Sequence, residues 1–263
     1  MIKHIDQLGR AIELNDIPNR IISLVPSQTE LLHYLGLEEE VVGITKFCVH
    51  PEEWHNSKKR VGGTKDIHYD WVQELLPDLI IGNKEENEEY QVNELMQSYP
   101  VWISDINSLE DALEMILALG EITGTIDKAM ELAKAIQDKF DNFQKPETQV
   151  NVAYFIWQNP YMVVRENTFV NDMLNRCGFV NVFQDKGRYP TVTDEEIADA
   201  QPDLILLSSE PFPFKEKHVT EIWVNCPTAK TLLVDGEMFS WYGSRLLRSV
   251  DYFQKILGEL DYA

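Results

Sequence analysis

The amino-acid sequence predicts an α/β protein with two doubly wound α/β lobes, mostly parallel sheets, and one long rigid α-helix that joins the lobes. Three observations lead to this prediction. A twelve-residue phrase occurs twice, 125 positions apart, as DWVQELLPDLII at Asp70–Ile81 and EEIADAQPDLIL at Glu195–Leu206. Apolar strand-like runs alternate with helical patterns in both halves of the chain, which is typical of parallel sheets. A stretch with purely helical periodicity separates the two halves.

The first half of the chain predicts strands with helices between them. Arg20–Val25 is the first strand, and Ser27 with Glu30 predicts a capping box for a helix that ends at Gly36. The elements that follow are the strands Val41–Thr45, Asp78–Gly82 and Val101–Ser104 and the helices Tyr69–Leu76 and Glu86–Ser98. Because strands and helices alternate, we expect a doubly wound N-terminal lobe over residues 1–107.

Residues 108–146 predict a helical connector. Apolar residues repeat at helical spacing from Leu109 to Leu119, and a second helix runs from Ile126 to about Phe143, shortly before Pro146. At 1.5 Å per residue the second helix would be roughly 27 Å long. Since no Gly/Ser-rich linker interrupts the connector, we expect little hinge motion between the lobes.

Residues 147–263 predict a C-terminal α/β lobe. Its predicted strands are Asn151–Trp157, Asp203–Ser208 and Thr231–Val234, and its predicted helices are Thr168–Arg176 and Ser244–Leu257. Each lobe contains one copy of the duplicated phrase. Two similar lobes imply a cleft between them, and a cleft is where a ligand would bind.

The composition is that of a globular protein with an acidic surface. Hydrophobic residues make up 44% and charged residues 25% of the chain, and 44 acidic against 23 basic residues give a net charge of −21. This charge disfavours nucleic acid and anionic membrane surfaces as partners. No segment approaches the ~20 apolar residues that span a bilayer, and residues 1–16 contain no visible signal peptide. Cys48, Cys177 and Cys226 form no C-x-x-C motif and predict no disulfide framework.

Three motifs resemble class III (helical-backbone) substrate-binding proteins of ABC importers. They are RIISLVPSQTELL at Arg20–Leu32, RVGGTK at Arg60–Lys65 and the two PDLI phrases. The likeness runs from about Arg20 to Leu257 and is greatest to the vitamin B12-binding branch, beside the binders of ferric siderophores and haem. The resemblance implies two α/β lobes bridged by a long helix. It also implies a monomer in the periplasm or at the cell surface, which delivers a metal chelate to a permease dimer and catalyses nothing.

The resemblance gives the first carboxylate of each duplicated phrase a role. In the family, one acidic residue on each lobe docks onto arginines of the dimeric permease, and these positions fall on Asp70 and Glu195. Charge-assisted contacts set far apart would orient the protein over a two-fold partner. The alternative is that each carboxylate only stabilises the start of its helix through the helix dipole. Asp70 stands where the family usually has Glu, which shortens its reach.

Aromatic and polar residues follow the predicted strands, where ligands of doubly wound sheets bind. The expected ligand contacts are Phe47, His50, Asn83, Trp157, Tyr161, Tyr189, Phe239, Trp241 and Tyr242. Flat aromatic walls with a few polar groups suit a large planar ligand such as a corrin or porphyrin. For each residue taken singly, packing in the core is the alternative.

The resemblance to the B12-binding branch is partial at these positions. Phe47 and Tyr189 fall where that branch has aromatic ligand contacts. Thr64 and Asn83 stand where it has tryptophans, and Trp241 lies near the position of a basic contact. The resemblance therefore implies an altered binding platform, and both cobalamin and an iron chelate (a siderophore or haem) remain candidate ligands.

No motif indicates a resident metal, an intrinsic cofactor or a catalytic site. His50, Met238 or Tyr242 could ligate the metal of a bound chelate, but the histidines lack the spacing of a free-metal site. The chain has no G-x-G-x-x-G, G-x-x-x-x-G-K-[ST] or G-x-S-x-G motif. The alternative hypothesis is an intracellular tetrapyrrole-handling enzyme or chelatase-like α/β protein, which would need no signal peptide. Only the transport hypothesis requires Asp70 and Glu195 on an exposed face.

Overall fold

The computed structural model describes residues 2–184 and 189–261, which divide into two compact α/β units. Unit 1 comprises Met1–Ile106, Glu110–Ile136 and Tyr242–Arg245, and unit 2 comprises Asn107–Leu109, Gln137–Trp241 and Leu246–Ala263. The division follows packing and not chain order, because four residues near the end of the chain belong to unit 1. The domain boundaries expected from the sequence, at 107 and 146, stay predictions.

Unit 1 is built on a parallel sheet with helices between its strands. Its elements are β1 (Ile2–Ile5), β2 (Ala11–Leu14), β3 (Ile21–Ser23), α1 (Pro26–Leu35), β4 (Val41–Ile44), α2 (Glu52–Ser57), β5 (Lys59–Arg60), β6 (Gly62–Gly63), β7 (Asp66–Ile67), α3 (Tyr69–Leu75), β8 (Leu79–Asn83), α4 (Glu89–Leu95) and β9 (Val101–Ser104). The sheet has the order β5-β4-β3-β8-β9, and all of these pairings are parallel. The antiparallel hairpins β1–β2 and β6–β7 were not predicted from the sequence.

The strand order of unit 1 places its helices on two faces of the sheet. The chain moves one way across the sheet from β3 to β5 and the opposite way from β5 to β9. Since such crossovers are right-handed, α1 lies on one face and α3 and α4 lie on the other. The strands β3 and β8 are neighbours in the sheet, but the connections that follow them lead in opposite directions, to β4 and to β9. Doubly wound sheets leave a crevice at the carboxyl ends of two such strands.

Helix α1 does not use the predicted capping box. Its N-cap is Val25, which makes no side-chain capping bond, and Pro26 occupies the first helical turn. Proline suits that position because its missing N–H would have no partner there in any helix. Ser27 is buried and Glu30 pairs with Arg245, so neither side chain caps the helix. The helix does end as predicted, at Gly36 with φ 88°.

Two helices follow β9, as predicted; the first extends past the predicted Leu119, and the second ends about two residues before the predicted Phe143. They are α5 (Leu109–Ile122) and α6 (Ile126–Asp141), of 14 and 16 residues. At 1.5 Å per residue, α6 is about 24 Å long. Residues 126–136 of α6 belong to unit 1 and the rest to unit 2. Its buried face consists of Ala129, Leu132, Ala133 and Ile136, with charged residues on the other side.

Unit 2 is built on a mixed, mostly parallel sheet. Its elements are β10 (Val150–Trp157), β11 (Tyr161–Val163), α7 (Phe169–Arg176), β12 (Phe179–Asn181), β13 (Thr191–Val192), α8 (Asp194–Ala200), β14 (Leu204–Ser208), α9 (Glu216–Asn225), β15 (Lys230–Val234), α10 (Glu237–Ser240) and α11 (Leu246–Asp261). Strands β12, β10, β14 and β15 are parallel, whereas β11 and β13 are antiparallel additions. The predicted fold class, two α/β lobes with mostly parallel doubly wound sheets, is confirmed.

The strands that follow the duplicated phrase form the centre of each core. Every residue of β8 and of β14 is buried. Such continuous burial is expected of central parallel strands, which have helices on both faces. No helix in the two described ranges is long and apolar enough to cross a membrane.

Candidate functional site

The duplicated phrase folds the same way in both units, as a short helix that ends in one left-handed residue before the strand. Leu76 follows α3 with φ 45° and ψ 58°, and Gln201 follows α8 with φ 45° and ψ 55°. A proline comes next in each copy, and proline cannot continue a helix. The sequence repeat is therefore a structural repeat.

The aspartate after each proline anchors the start of a neighbouring strand. Asp78 accepts hydrogen bonds from the backbone N–H groups of Asn19 (2.8 Å) and Arg20 (2.9 Å). Asp203 accepts one from the N–H of Asn151 (2.8 Å). Because these bonds involve a carboxylate, they are stronger than neutral hydrogen bonds. The Pro-Asp half of the phrase thus belongs to the scaffold.

The leading carboxylates of the phrase, Asp70 and Glu195, are exposed. Across residues 2–184 and 189–261 neither of them forms a hydrogen bond or an ion pair. In α8 the helix start is capped by other groups, since Thr193 Oγ1 accepts the Glu196 N–H (3.2 Å) and Glu196 accepts the Thr193 N–H (2.9 Å). Glu195 is therefore not needed as a cap. Helix α3 has no side-chain cap.

Asp70 lies at the end of unit 1 where the loops after the strands lie. The His68 N–H donates to Val61 O, and the Lys46 N–H donates to Gly62 O, which brings the start of α3 beside the loop that follows β4. From there α3 runs back to the start of β8, antiparallel to the strands. Helix α8 leads into β14 in the same way, so Glu195 occupies the corresponding end of unit 2.

In unit 1, the loop after β4 exposes an aromatic ring. Phe47 is 52% exposed, and the Lys46 ammonium lies 5.1 Å from its ring centroid. His50 is half-buried in the same loop. Cys48, between them, is buried beside the hydroxyls of Thr29 and Thr45, and burial raises the pKa of its thiol. The thiol is thus a packing group, and Phe47 is the side chain that this loop offers to a ligand.

The side chain of Asn83, at the end of β8, forms hydrogen bonds with the backbone of the loop that follows and is not directed toward solvent. Its side-chain oxygen accepts the N–H groups of Glu85 (2.8 Å) and Glu86 (3.1 Å), and its amide nitrogen donates to Ser104 Oγ (3.0 Å). The residue is buried. Its donor and acceptor groups are used within unit 1, so the predicted ligand contact at Asn83 finds no support in this geometry.

Tyr242–Arg245 packs against the same edge of unit 1. The buried Tyr242 hydroxyl donates to Glu86 Oε1 (3.2 Å), and burial followed by the charge of Glu86 raises the pKa of Tyr242 well above its usual value. Arg245 makes two contacts of 2.9 Å with the carboxylate of Glu30. Gly243, at φ 116°, crosses α1 so closely that a Cβ atom there would lie 3.3 Å from Leu31 Cβ. Sequence reasoning found Tyr242 but missed Glu86 and the Arg245–Glu30 pair.

In unit 2, the loop after β10 carries an exposed indole. Trp157 is 40% exposed and meets the edge of Phe212 at 5.5 Å between ring centroids. Gln158 donates to Glu221 (2.6 Å) and lies 3.4 Å from the hydroxyl of the half-buried Tyr161. These contacts bring Trp157 and Tyr161 together at the carboxyl end of the sheet.

Glu210, which follows β14, holds the Trp241 side chain and was missed by sequence reasoning. Its Oε1 accepts hydrogen bonds from Ser240 Oγ (2.5 Å) and Trp241 Nε1 (3.1 Å). Burial raises the pKa of the Glu210 carboxyl, and the charge of Glu237 adds to the rise. Trp241 is only 7% exposed. The available signal was position, because Glu210 stands two residues after the end of a predicted strand.

The remaining predicted contacts of unit 2 lie elsewhere. Phe239 has no exposed surface and packs against Tyr154 (5.2 Å) and Phe253 (4.7 Å), so it belongs to the core. Tyr189 is half-buried and precedes β13. Since the Val163 N–H donates to Pro190 O, Tyr189 lies toward Val163 and not toward the Tyr161 end of β11.

A cavity of about 790 Å³ in unit 2 is at the opposite end from these loops. It is lined by the first residues of the parallel strands, Val150, Leu204 and Lys230, and by residues 144–149. Ligands of doubly wound sheets bind at the carboxyl ends of the strands, so this cavity is not the candidate site. Among the residues that the structure describes, no group of three or more His, Cys, Asp or Glu side chains could hold a metal ion.

Comparison with known proteins gives consistent matches over most of the chain. The sequence model described as "Periplasmic binding protein" matches residues 21–228. A vitamin B12-binding protein of Vibrio parahaemolyticus is 25% identical over 240 residues, which cover 83% of this chain and 87% of that protein. An uncharacterized ABC transporter substrate-binding lipoprotein of Bacillus subtilis is 26% identical over 264 residues, which cover 94% of this chain and 82% of that protein. The crystal structure of a periplasmic vitamin B12 binding protein of Vibrio cholerae superposes with a TM-score of 0.79 at 21% identity. The match covers 94% of this chain and 99% of that chain.

Proposed function

The chain belongs to the periplasmic binding protein family, and from that premise we propose that it is the solute-binding protein of an ABC importer for a metal chelate. The family resemblance inferred from the sequence motifs is thereby confirmed. The vitamin B12-binding relative and the substrate-binding lipoprotein support the transport role. Cobalamin is the first candidate ligand, with haem and ferric siderophores as the others.

One observation carries the delivery half of the proposal. Each unit has an exposed carboxylate without a partner in the described ranges, Asp70 or Glu195, at the same end as its strand-end loops. In α8 the helix start is already capped by Thr193 and Glu196, so a capping role does not account for Glu195. A partner that binds both carboxylates would contact the end of each unit from which a ligand leaves.

The ligand half of the proposal rests on the exposed aromatic side chains of these loops. Phe47 in unit 1 and Trp157 in unit 2 present 52% and 40% of their surface. Burial of such rings against a large flat ligand is favourable by roughly 25 cal/mol per Å² of apolar area. The half-buried His50 and Tyr161 add polar groups near the aromatic surface, whereas Tyr189 lies toward the other end of β11. In this proposal the protein has no intrinsic cofactor, and the metal enters only as part of the ligand.

The ligand is tested by parallel calorimetric titrations with cyanocobalamin, haemin and a ferric hydroxamate. We expect one of them to bind with a dissociation constant of about 1 μM or lower, and Phe47→Ala and Trp157→Ala each to weaken it about tenfold. Tyr34→Ala, an exposed aromatic on α1, is the matched control and should leave the affinity unchanged. Absence of binding by all three classes would refute the chelate proposal.

Delivery is tested with the double charge reversal Asp70→Lys with Glu195→Lys. The variant should no longer stimulate the ATPase of the importer that takes up the identified chelate, because both docking charges would then repel arginine. Its ligand affinity should equal that of the wild type. Undiminished stimulation by the variant would show that the two carboxylates do not dock.

The enzyme hypothesis gains no support from these observations. The family is one of binding proteins, and the buried thiol and carboxyl groups in the candidate region serve packing or hold side chains. We propose that the protein works as a monomer outside the cytoplasmic membrane, in the periplasm or at the cell surface. A substrate-binding lipoprotein among the relatives supports this location.

A further inference from the structure

The loops that follow the strands of unit 1 carry more carboxylates than ammonium groups. Glu85 and Glu86 come directly after β8, and Asp105 comes directly after β9. The basic side chains of the loops after β4, β8 and β9 are those of Lys46 and Lys84. Because the Lys84 ammonium is paired with Asp105 at 2.6 Å, its charge is already balanced. The two glutamates then outnumber the remaining ammonium group, that of Lys46.

Glu86 lies beside the loop that exposes Phe47. Its Oε1 accepts a hydrogen bond from the Tyr242 hydroxyl at 3.2 Å. Burial raises the pKa of the Cys48 thiol, and the charge of Glu86 adds to the rise, so this carboxylate is close to the loop after β4. The charge of Glu85 likewise adds to the raised pKa of Tyr242, behind burial and Glu86. A negative group of a ligand bound at Phe47 would therefore meet two carboxylates.

The segments that follow β14 and β15 make unit 2 acidic at the same end. They contribute the carboxylates of Glu210, Asp235 and Glu237, with Lys215 as their basic residue. The pKa of Glu210 is raised first by burial and then by the charges of Glu237 and Asp235, which shows that the three carboxylates lie close together. Unit 2 thus presents negative charge beyond the carboxyl ends of its strands.

The aromatic side chains that unit 2 offers to a ligand lie next to these and other carboxylates. Phe212, which belongs to the segment after β14, meets the edge of Trp157 at 5.5 Å between ring centroids. Burial raises the pKa of the Tyr161 phenol, and the charges of Asp194 and Glu221 raise it further. Both units therefore combine exposed or half-buried rings with nearby negative charge.

We propose that the strand-end loops of the two units select a chelate that carries no net negative charge. The inference rests on the proposed transport function and names the charge of its ligand. Proteins hold carboxylate and phosphate groups with arginine or lysine donors, whereas the loops described above present mainly carboxylates. The net charge of −21 adds a repulsive field for any anion that approaches. Neutral cyanocobalamin and a neutral or cationic ferric hydroxamate fit this surface, and haem, with two propionates, does not.

The test compares three forms of one chelate that differ in the charge of one end. Ferrioxamine B ends in an ammonium group, its N-acetyl derivative is neutral there, and its N-succinyl derivative ends in a carboxylate. At about 20 mM salt we expect the succinyl form to bind about tenfold more weakly than the acetyl form, and the ammonium form to bind at least as tightly as the acetyl form. In about 1 M salt the difference should fall below about twofold, because salt screens charge and leaves size unchanged.

The same comparison can be made on the other candidate ligands. For a protein that binds a tetrapyrrole and not ferrioxamine B, haemin is compared with its dimethyl ester, and cyanocobalamin with a monocarboxylic acid derivative. In each pair we expect the form with fewer carboxylates to bind more tightly, and the preference to decrease as salt is added.

Neutral variants locate the charges that cause the preference. Glu85 is exposed and Glu237 is half-buried, so Glu85→Gln and Glu237→Gln each remove one charge from one unit with little change in packing. Each should reduce the preference for the neutral over the anionic form about twofold, and the double variant about fivefold. Glu147→Gln is the matched control, since Glu147 lines the cavity at the opposite end of unit 2, and it should leave the preference unchanged.

The outcomes separate this inference from the proposed function. If the anionic form binds as tightly as the neutral form, the inference is refuted and the transport function stands. If the preference persists in high salt, or is the same in the double variant as in the wild type, these carboxylates do not cause it and the inference is refuted as well. If cyanocobalamin, haemin and ferrioxamine B all fail to bind, the proposed function is refuted together with the inference.

Discussion

The two copies of the duplicated phrase have the same second half and different first halves. After the helix, both copies place a residue at φ 45°, a proline, and an aspartate that binds the backbone of a neighbouring strand. The starts of the two helices differ. Helix α8 begins with a complete capping box, whereas α3 begins without a side-chain cap and has Trp71 next to its leading carboxylate. The shared half has a structural role in both units. The half that differs carries the exposed carboxylates, so Asp70 and Glu195 lie in different surroundings.

Single charge reversals should have the largest effect and should reveal this difference. Glu195→Lys removes the only proposed docking group of α8, so we expect docking to weaken about 100-fold. Asp70 has a shorter side chain than glutamate and therefore a shorter reach, so for Asp70→Lys we expect a smaller loss, of about tenfold. Docking affinity to the reconstituted importer measures both variants. Equal losses would mean that the two carboxylates contribute equally to docking.

The aspartates of the shared half should matter for stability in proportion to their hydrogen bonds. Asp78→Ala removes two charged acceptors and should lower the free energy of unfolding by about 2 kcal/mol, and Asp203→Ala, with one, by about 1 kcal/mol. Urea unfolding followed by intrinsic fluorescence measures this difference. Asp78→Asn keeps an acceptor and should lose less than Asp78→Ala. A larger loss for Asp203→Ala would contradict the scaffold interpretation.

The helix starts should respond unequally to loss of their first residue. Thr193→Ala breaks the capping box of α8 and should cost about 1 kcal/mol, whereas Thr193→Ser should be nearly neutral. His68→Ala, at the N-cap position of α3, removes no capping bond and should cost less, about 0.5 kcal/mol, through its lost contact with Trp71. Chemical denaturation of the three variants measures these differences in the free energy of unfolding. The comparison fails if His68→Ala is the more damaging change.

The left-handed residues should show the smallest effect and no difference between the copies. Glycine adopts φ 45° without the steric cost that Leu76 and Gln201 bear, so Leu76→Gly and Gln201→Gly should change stability by less than about 1 kcal/mol, in the same direction. The midpoint of urea unfolding measures both. Opposite signs in the two copies would show that their helix ends are not equivalent.

Much of the fold was predictable because its signals are local. The strands β8 and β14 were expected at Asp78–Gly82 and Asp203–Ser208 and lie at Leu79–Asn83 and Leu204–Ser208. A continuous apolar run after Pro-Asp is sufficient to mark such a strand. The capping box at Ser27 was wrong because Pro26 and the pairing of Glu30 with a residue 215 positions away outweighed a local motif. Helix α9 and the short hairpins were not predicted at all.

The candidate site was predictable only in outline. The rule that ligands bind beyond strand ends selected Phe47, Trp157 and Tyr161, which lie at these ends with exposed or half-buried rings. It could not separate them from Phe239, which belongs to the core, or from Asn83, whose amide shapes a loop. Whether a side chain is buried depends on contacts between segments that are distant in sequence. One example is the hydrogen bond that Trp241 Nε1 donates to Glu210. Such contacts have no signature in the local sequence.

The packing of Tyr242–Arg245 within unit 1 has a consequence for biosynthesis. A nascent chain can form the sheet β5-β4-β3-β8-β9 as soon as β9 has been synthesised, but Tyr242, Gly243 and Arg245 are made only after all the strands of unit 2. Until then the carboxylate of Glu30, with 15% of its side chain exposed in the finished protein, has no guanidinium partner. Domains that fold during synthesis usually complete in order from the N-terminus. Here the N-terminal unit would be completed last. In a ribosome-bound intermediate it would lack its contacts with Tyr242–Arg245 while the sheet of unit 2 forms.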